Sequence, residues 1–220
     1  MLPILLLSSS AIAETPLLAG ELSGNAYTLP AKTLRLQVFS PSAYGVTEQL
    51  ELRSSLLGLL AGPNLTAEYK LMDAEDRALS MSVSGDYLWD GLTSGSLGAA
   101  YTLGSATENR LSFRGSAGVS IAGDTTFVSA SLGAGYELIV NPQTLWTFSG
   151  GTSPVALASG SLQGTTVGAE WTRGWEVYRL SLGLVLTDPT LLNENLADFD
   201  QDAISLPVLP LPYFLMWWTI

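Results

Sequence analysis

From residue 78 onward the chain alternates apolar with small or polar residues, and this two-residue period restricts it to β structure. In the stretch from Ala78 to Trp89 one face carries Leu79, Met81, Val83, Tyr87 and Trp89, and the other carries Ser80, Ser82, Ser84 and Asp86. The pattern returns at 110–121, where Leu111, Phe113, Ala117, Val119 and Ile121 alternate with Arg110, Ser112, Arg114, Ser116 and Ser120. Successive side chains of a strand point to opposite faces of its sheet. Segments of about ten such residues, repeated and joined by turns, are the signature of a transmembrane β-barrel.

Carried along the chain, the alternation predicts strands over 20–29, 32–39, 49–57, 65–72, 78–89, 95–104, 109–122, 125–140, 144–150, 161–173, 175–187 and 211–219. That makes twelve, an even number as a bacterial single-chain barrel requires. The first and ninth have the weakest patterns, which leaves ten as the alternative. With both ends of the barrel on one side, every second connection should be short. Those connections are 40–48, 73–77, 105–108, 141–143 and Gly174, and Asn141-Pro142 favours turn initiation. The opposite set includes 151–160 and the long 188–210 segment. The fold class expected is therefore an all-β antiparallel transmembrane barrel.

The same register sorts the charges. Leu34, Leu36 and Val38 leave Arg35 and Gln37 inside, and Leu50, Leu52 and Leu56 leave Glu51 and Arg53. Leu65, Ala67, Tyr69 and Leu71 leave Glu68 and Lys70, while Tyr178, Leu180, Leu182, Leu184 and Leu186 leave Arg179 and Ser181. Six of the nine basic residues, namely Arg35, Arg53, Lys70, Arg110, Arg114 and Arg179, thus share one face with Glu51, Glu68, Asp86, Glu137 and Glu170. An Arg or Lys facing lipid at mid-bilayer costs about 2–4 kcal/mol, which segregation to a lumen avoids. These eleven residues are the expected lumen charge network. Tyr87, Trp89, Trp171, Trp175, Trp217 and Trp218 are expected at the membrane interfaces, with apolar bodies in the acyl region and polar tips among headgroups.

The N-terminus reads as an export signal. Leu2 to Leu7 is a largely apolar run, and Ala11-Ile12-Ala13 is an A-x-A-type cleavage site before Glu14. Residues 1–13 are expected to be removed after Ala13, leaving 14–220 as one barrel domain in the cell outer membrane, with outer-membrane lipid as its partner. The chain has no cysteine, which excludes a lipidated Cys, disulfides and thiolate metal sites. A net charge of −11 would repel nucleic acid, and none is expected as a partner.

The segment Tyr44-Gly45-Val46-Thr47-Glu48-Gln49-Leu50-Glu51-Leu52 resembles a hairpin of many small outer-membrane barrel proteins of Gram-negative bacteria, in which an aromatic-Gly-apolar-Thr-acid turn feeds an alternating strand. The closing Pro212 to Ile220 stretch resembles the aromatic-rich last strand that barrel-assembly machinery recognises in such proteins, with Ile220 where a terminal Phe or Trp is usual. The resemblance covers under a tenth of the chain. It implies an architecture, a compartment and the assembly machinery as a partner, and no catalytic residue.

The chemistry of catalysis is thin. There is no histidine to serve as general base, and no enzyme, cofactor or metal site is expected. Glu137 and Glu170 are the candidate carboxylate pair, read as lumen salt-bridge partners. Gly133-Ala134-Gly135 is read as room for strand twist. Asp198, Asp200 and Asp202 alternate as calcium-binding loops do, but Ala203 and Leu209 stand where such a loop needs Gly and Glu, so a solvated acidic loop is expected. Pro207, Pro210 and Pro212 lack N–H groups and are expected to prevent a regular ladder there. The function these features suggest is a narrow outer-membrane channel, porin-like, or a non-enzymatic structural or accessory membrane protein. The alternative is a secreted or surface-attached all-β sandwich that serves as an assembly module and never spans lipid.

Overall fold

The computed structural model describes residues 17–22, 24–37, 40–152, 165–175, 177–187 and 209–220. Among these, twelve strands follow in order: β1 (Leu34–Gln37), β2 (Ser42–Gly45), β3 (Leu50–Ser54), β4 (Asn64–Ala74), β5 (Arg77–Tyr87), β6 (Thr93–Leu103), β7 (Arg110–Ala122), β8 (Thr125–Asn141), β9 (Thr144–Thr152), β10 (Thr166–Trp175), β11 (Tyr178–Thr187) and β12 (Leu209–Thr219). Each pairs antiparallel with its sequence neighbours, and β12 closes the barrel on β1 through Arg35 opposite Thr219 and Gln37 opposite Trp217. Closure at twelve strands removes the ten-stranded alternative and the sandwich. The end where β1 begins and β12 finishes is called the near end, and the opposite end the far end. Among the described residues only α1 (Gly58–Ala61), a single turn after β3, adds α-helix.

The outside of the wall is apolar and uncovered. Val128 and Leu97 are 83% and 61% exposed, and Leu65, Val83, Leu182 and Phe214 are each half exposed or more. The buried side chains lie on the inner face and are largely polar, among them Arg35, Glu51, Glu68, Arg110, Glu137 and Arg179. A protein folded in water buries the first kind and exposes the second.

Two sequence expectations are corrected. Residues 20–29 do not form a strand: a single 3-10 turn at Ala19–Glu21 leads into an irregular segment packed inside the barrel. β1 already has β2 and β12 as neighbours, so no edge is free for another strand. Conversely, the expected connection 40–48 contains β2, whose four residues pair with β3 as the first hairpin of the wall. Strand boundaries also shift by a few residues. β10 continues through Gly174 to Trp175, and β12 begins at Leu209, so Pro210 and Pro212 do stand within a ladder, opposite Leu186 and Leu184. β1 meets β12 only over 217–219, so these prolines occupy a stretch with no β1 partner among the described residues. Prolines at alternate positions direct their bare nitrogens toward one neighbour, here the unpaired side, and leave the β11 ladder intact.

The wall is uneven in height. β1, β2 and β3 have 4, 4 and 5 residues, whereas β7 and β8 have 13 and 17. The aromatic expectation holds in part. Tyr87 and Trp89 face outward at the far end, and Trp218 packs edge-on against Tyr178 outside the near end. Trp217 instead points into the bore and is 2% exposed, as its neighbour relation to the outward Trp218 requires.

A stoppered bore as candidate functional site

Residues 17–22 and 24–33 form a stopper across the near half of the bore. It enters beside the turn after β8, where the Leu17 N–H donates to the Pro142 carbonyl at 2.8 Å, and leaves into β1. Between these points it approaches the wall so closely that a Cβ on Gly45 would lie 2.0 Å from the Pro30 carbonyl oxygen, so only glycine fits there.

Without ladder partners, the stopper's polar groups are met by side chains from the wall. Arg179 of β11 grips Glu21 with both arms of its guanidinium, Nε to Oε2 at 2.8 Å and Nη2 to Oε1 at 3.2 Å. Arg35 of β1 donates to the Glu21 carbonyl oxygen. Asn25 donates to Glu137 at 3.0 Å, and Glu137 also pairs with Arg110. The Ala26 N–H donates to the Thr102 hydroxyl at 2.8 Å, and Leu29 N–H to Glu51 at 2.7 Å. Tyr27 donates to the Gly104 carbonyl at 2.7 Å and lies beneath the Arg110 guanidinium, 5.8 Å from its ring centre. Burial raises the pKa of the Tyr27 phenol above its ordinary value, while Arg110 pulls it down. Contacts therefore run from the stopper to β1, β3, β6, β8 and β11, around much of the circumference.

The eleven residues expected in the lumen divide into groups. Seven line the near half: Arg35, Glu51, Arg53, Glu68, Arg110, Glu137 and Arg179. Arg53 bridges Glu51 and Glu68 at 2.5 and 2.6 Å, and Glu68 accepts a further hydrogen bond from Ser80. Lys70 pairs with Asp73 at 2.6 Å toward the near rim. Asp86, at the far end of β5, accepts from the Ser94 hydroxyl. Arg114 faces the bore beside Gly133 and has no ion-pair partner among the described residues. Glu170 accepts from the Tyr213 hydroxyl at 2.6 Å and from Thr172 at 3.1 Å. It does not meet Glu137: the two flank Thr147 from opposite sides of β9, about 9–10 Å apart by strand spacing. Each has its own donors.

Sequence reasoning missed Glu21, Asn25 and the bore hydroxyls of Thr102 and Tyr213. One signal for Glu21 was available. The predicted inner face held six bases against five acids, one acid short of balance.

No family model, curated protein or solved structure matches this chain. Geometry alone must then carry the functional argument. Among the described residues, no group of three or more His, Cys, Asp or Glu gathers as metal ligands would. Asp198, Asp200 and Asp202 lie outside the described residues.

Above the stopper the bore changes character. Its far half is lined by Ser84, Ser96, Ser116, Ser129 and Ser131 with interspersed glycines, and none of these serines is buried. The Ser84 and Ser96 hydroxyls are hydrogen-bonded to each other, as are those of Ser116 and Ser131, each at 2.7 Å. The site can thus hold a plug by charge pairing below and polar solute by hydroxyls above.

Proposed function

We propose that this chain is an outer-membrane β-barrel and a narrow channel held shut by its own N-terminal segment, with no catalytic role. The observation that carries the reading is the stopper, tied to the wall by the Glu21–Arg179 pair beneath a far half lined by hydroxyls that are not buried among the described residues. An apolar outer wall around a polar bore supports insertion in lipid, where a closed barrel satisfies every strand group without an exposed edge. The same reading has residues 1–13 as a signal peptide cleaved after Ala13, and has the barrel-assembly machinery take the Pro212–Ile220 end as its substrate. The near end then faces the periplasm and the long connections face outward.

The test combines cell fractionation, gel mobility with and without heating, and planar-bilayer recording of the full chain. Expected are an outer-membrane fraction, a compact unheated band, near-silent wild-type traces and stepwise openings in Glu21→Gln. A chain that stays monomeric in buffer without detergent overturns the membrane reading. Traces that are silent in both proteins, each verified as folded, overturn the channel and leave a structural role.

A further inference from the structure

Arg114 stands apart from the ion pairs below it. It projects from β7 into the bore just above the stopper, and its guanidinium rests between two glycines. A Cβ on Gly24 of the stopper would lie 2.7 Å from Nη1, and a Cβ on Gly133 of β8 would lie 2.8 Å from Nε. A side chain at Gly133 would push the cation out of place. Gly24 has its own reason to be glycine, a φ of 99°. The Arg114 head borders a cavity of about 240 Å³ also lined by Asn25, Arg53, Glu68, Ser82, Ser116 and Ser131. Arg53 is engaged by Glu51 and Glu68, whereas Arg114 has no ion-pair partner among the described residues and is the cation of this lining that faces the cavity without one.

Arg114 is exposed to the far half of the bore and has no ion pair among the described residues, so its guanidinium is open to an incoming anion. The guanidinium fork fits the paired oxygens of a carboxylate or a phosphate. The hydroxyls of Ser82, Ser116 and Ser131 both donate and accept, which suits a polyol. At about 240 Å³ the cavity lies below the roughly 300–1,000 Å³ of drug-sized pockets and suits a ligand of single-sugar size.

We infer that this cavity is a binding site for a small hydroxylated oxyanion, of the sugar-acid or sugar-phosphate class, with Arg114 taking the anionic group and the serines taking the hydroxyls. The inference rests on the barrel reading above. It makes the far half a vestibule with a floor supplied by the stopper, so the ligand touches wall and stopper together.

The test is calorimetric titration of the full chain folded in detergent micelles, its compact state checked by gel mobility, with gluconate, glycerol 3-phosphate and neutral sorbitol as probes. Gluconate is expected to bind at least about tenfold more tightly than sorbitol, and Arg114→Gln to remove that advantage. Gly133→Val keeps the charge but displaces the fork, and it should weaken gluconate as well. Arg114→Lys should retain part of the affinity. Tighter binding of glycerol 3-phosphate than of gluconate assigns the site to phosphate esters, and the reverse assigns it to carboxylates. Equal binding of gluconate and sorbitol, or unchanged gluconate binding in Arg114→Gln, overturns the inference. A compact chain that takes up neither anion overturns this inference alone, while a chain with no compact band in micelles overturns the barrel reading as well.

Discussion

In the near half of the bore Glu51, Thr102, Thr172 and Ser181 have lost all contact with solvent, whereas on the same inner face of the far half Ser116, Ser129 and Ser131 are exposed. Both halves are polar and both are enclosed by the same strands. They differ in whether the polar groups have found protein partners. Below, Glu21, Glu51, Glu68 and Glu137 each meet a guanidinium, and stopper amides reach side chains of the wall. Above, hydroxyls pair only across neighbouring strands and leave room between the walls. A lumen is thus not one environment, and a residue's parity on a strand says nothing of its depth.

The largest test of that contrast is removal of the Glu21 carboxylate. Glu21→Ala removes the carboxylate that the buried Arg179 guanidinium grips, and breaking one side of a buried pair costs about 3–5 kcal/mol. The urea midpoint of the folded chain in micelles should fall accordingly, and the stopper should become open to protease while the wall resists. Next come paired substitutions at one level of the wall. Leu182→Arg places a charge on the outer belt and should cost about 2–4 kcal/mol in lipid. Ser181→Arg, one residue away and inward, should also destabilise, because Ser181 is fully buried and hydrogen-bonded to Thr172 at 2.6 Å. Ser129→Arg, inward but in the far half, should stay within about 0.5 kcal/mol of wild type. If Ser181→Arg and Ser129→Arg refold with equal yield, the two halves are not different in kind.

A smaller effect is expected at Thr102, whose hydroxyl accepts from the Ala26 N–H and pairs with Ser112. Thr102→Val leaves a buried donor unmet, worth about 1–3 kcal/mol, and amide exchange at Ala26 should speed up while β6 amides stay protected. The smallest effect is alkaline. Burial raises the folded-state pKa of Tyr27 above its ordinary value of about 10, so the protonated phenol stabilises the stopper. That contribution is whole below about pH 10 and is lost as pH rises through the raised value. Protease sensitivity of the stopper should therefore increase in that window, and Tyr27→Phe should abolish the step at a cost of about 1 kcal/mol.

The wall was largely legible because a period of two is a direct consequence of strand geometry. From Asn64 to Thr152 the strands run close to their predicted limits, since each crosses between an apolar and a polar environment. The stopper was illegible for the same reason. The stretch from Glu21 to Leu29 reads as a strand by composition, yet Glu21, Leu22 and all of 25–29 are buried, so no alternation rule applies to it. β2 failed in the opposite sense, because four residues are too few to display a period. Arg110 and Glu137 could be assigned to one face, and their pairing follows from cross-strand register. The partner of Arg179 could not be inferred, since Glu21 belongs to no strand and reaches it through space.

That last contact also bears on how the barrel forms. Glu21 and Arg179 are separated by 158 residues, and Asn25 and Glu137 by 112. Contacts of such long sequence separation are reached only after the entropy of closing a very long loop has been lost, and they slow folding. Until β11 is in place Arg179 cannot reach Glu21, and until β12 meets β1 the bore has no complete circumference for the stopper to fill. A segment that precedes every strand of the wall in chain order is thereby among the last to be locked, and ring closure and internal docking become one cooperative event.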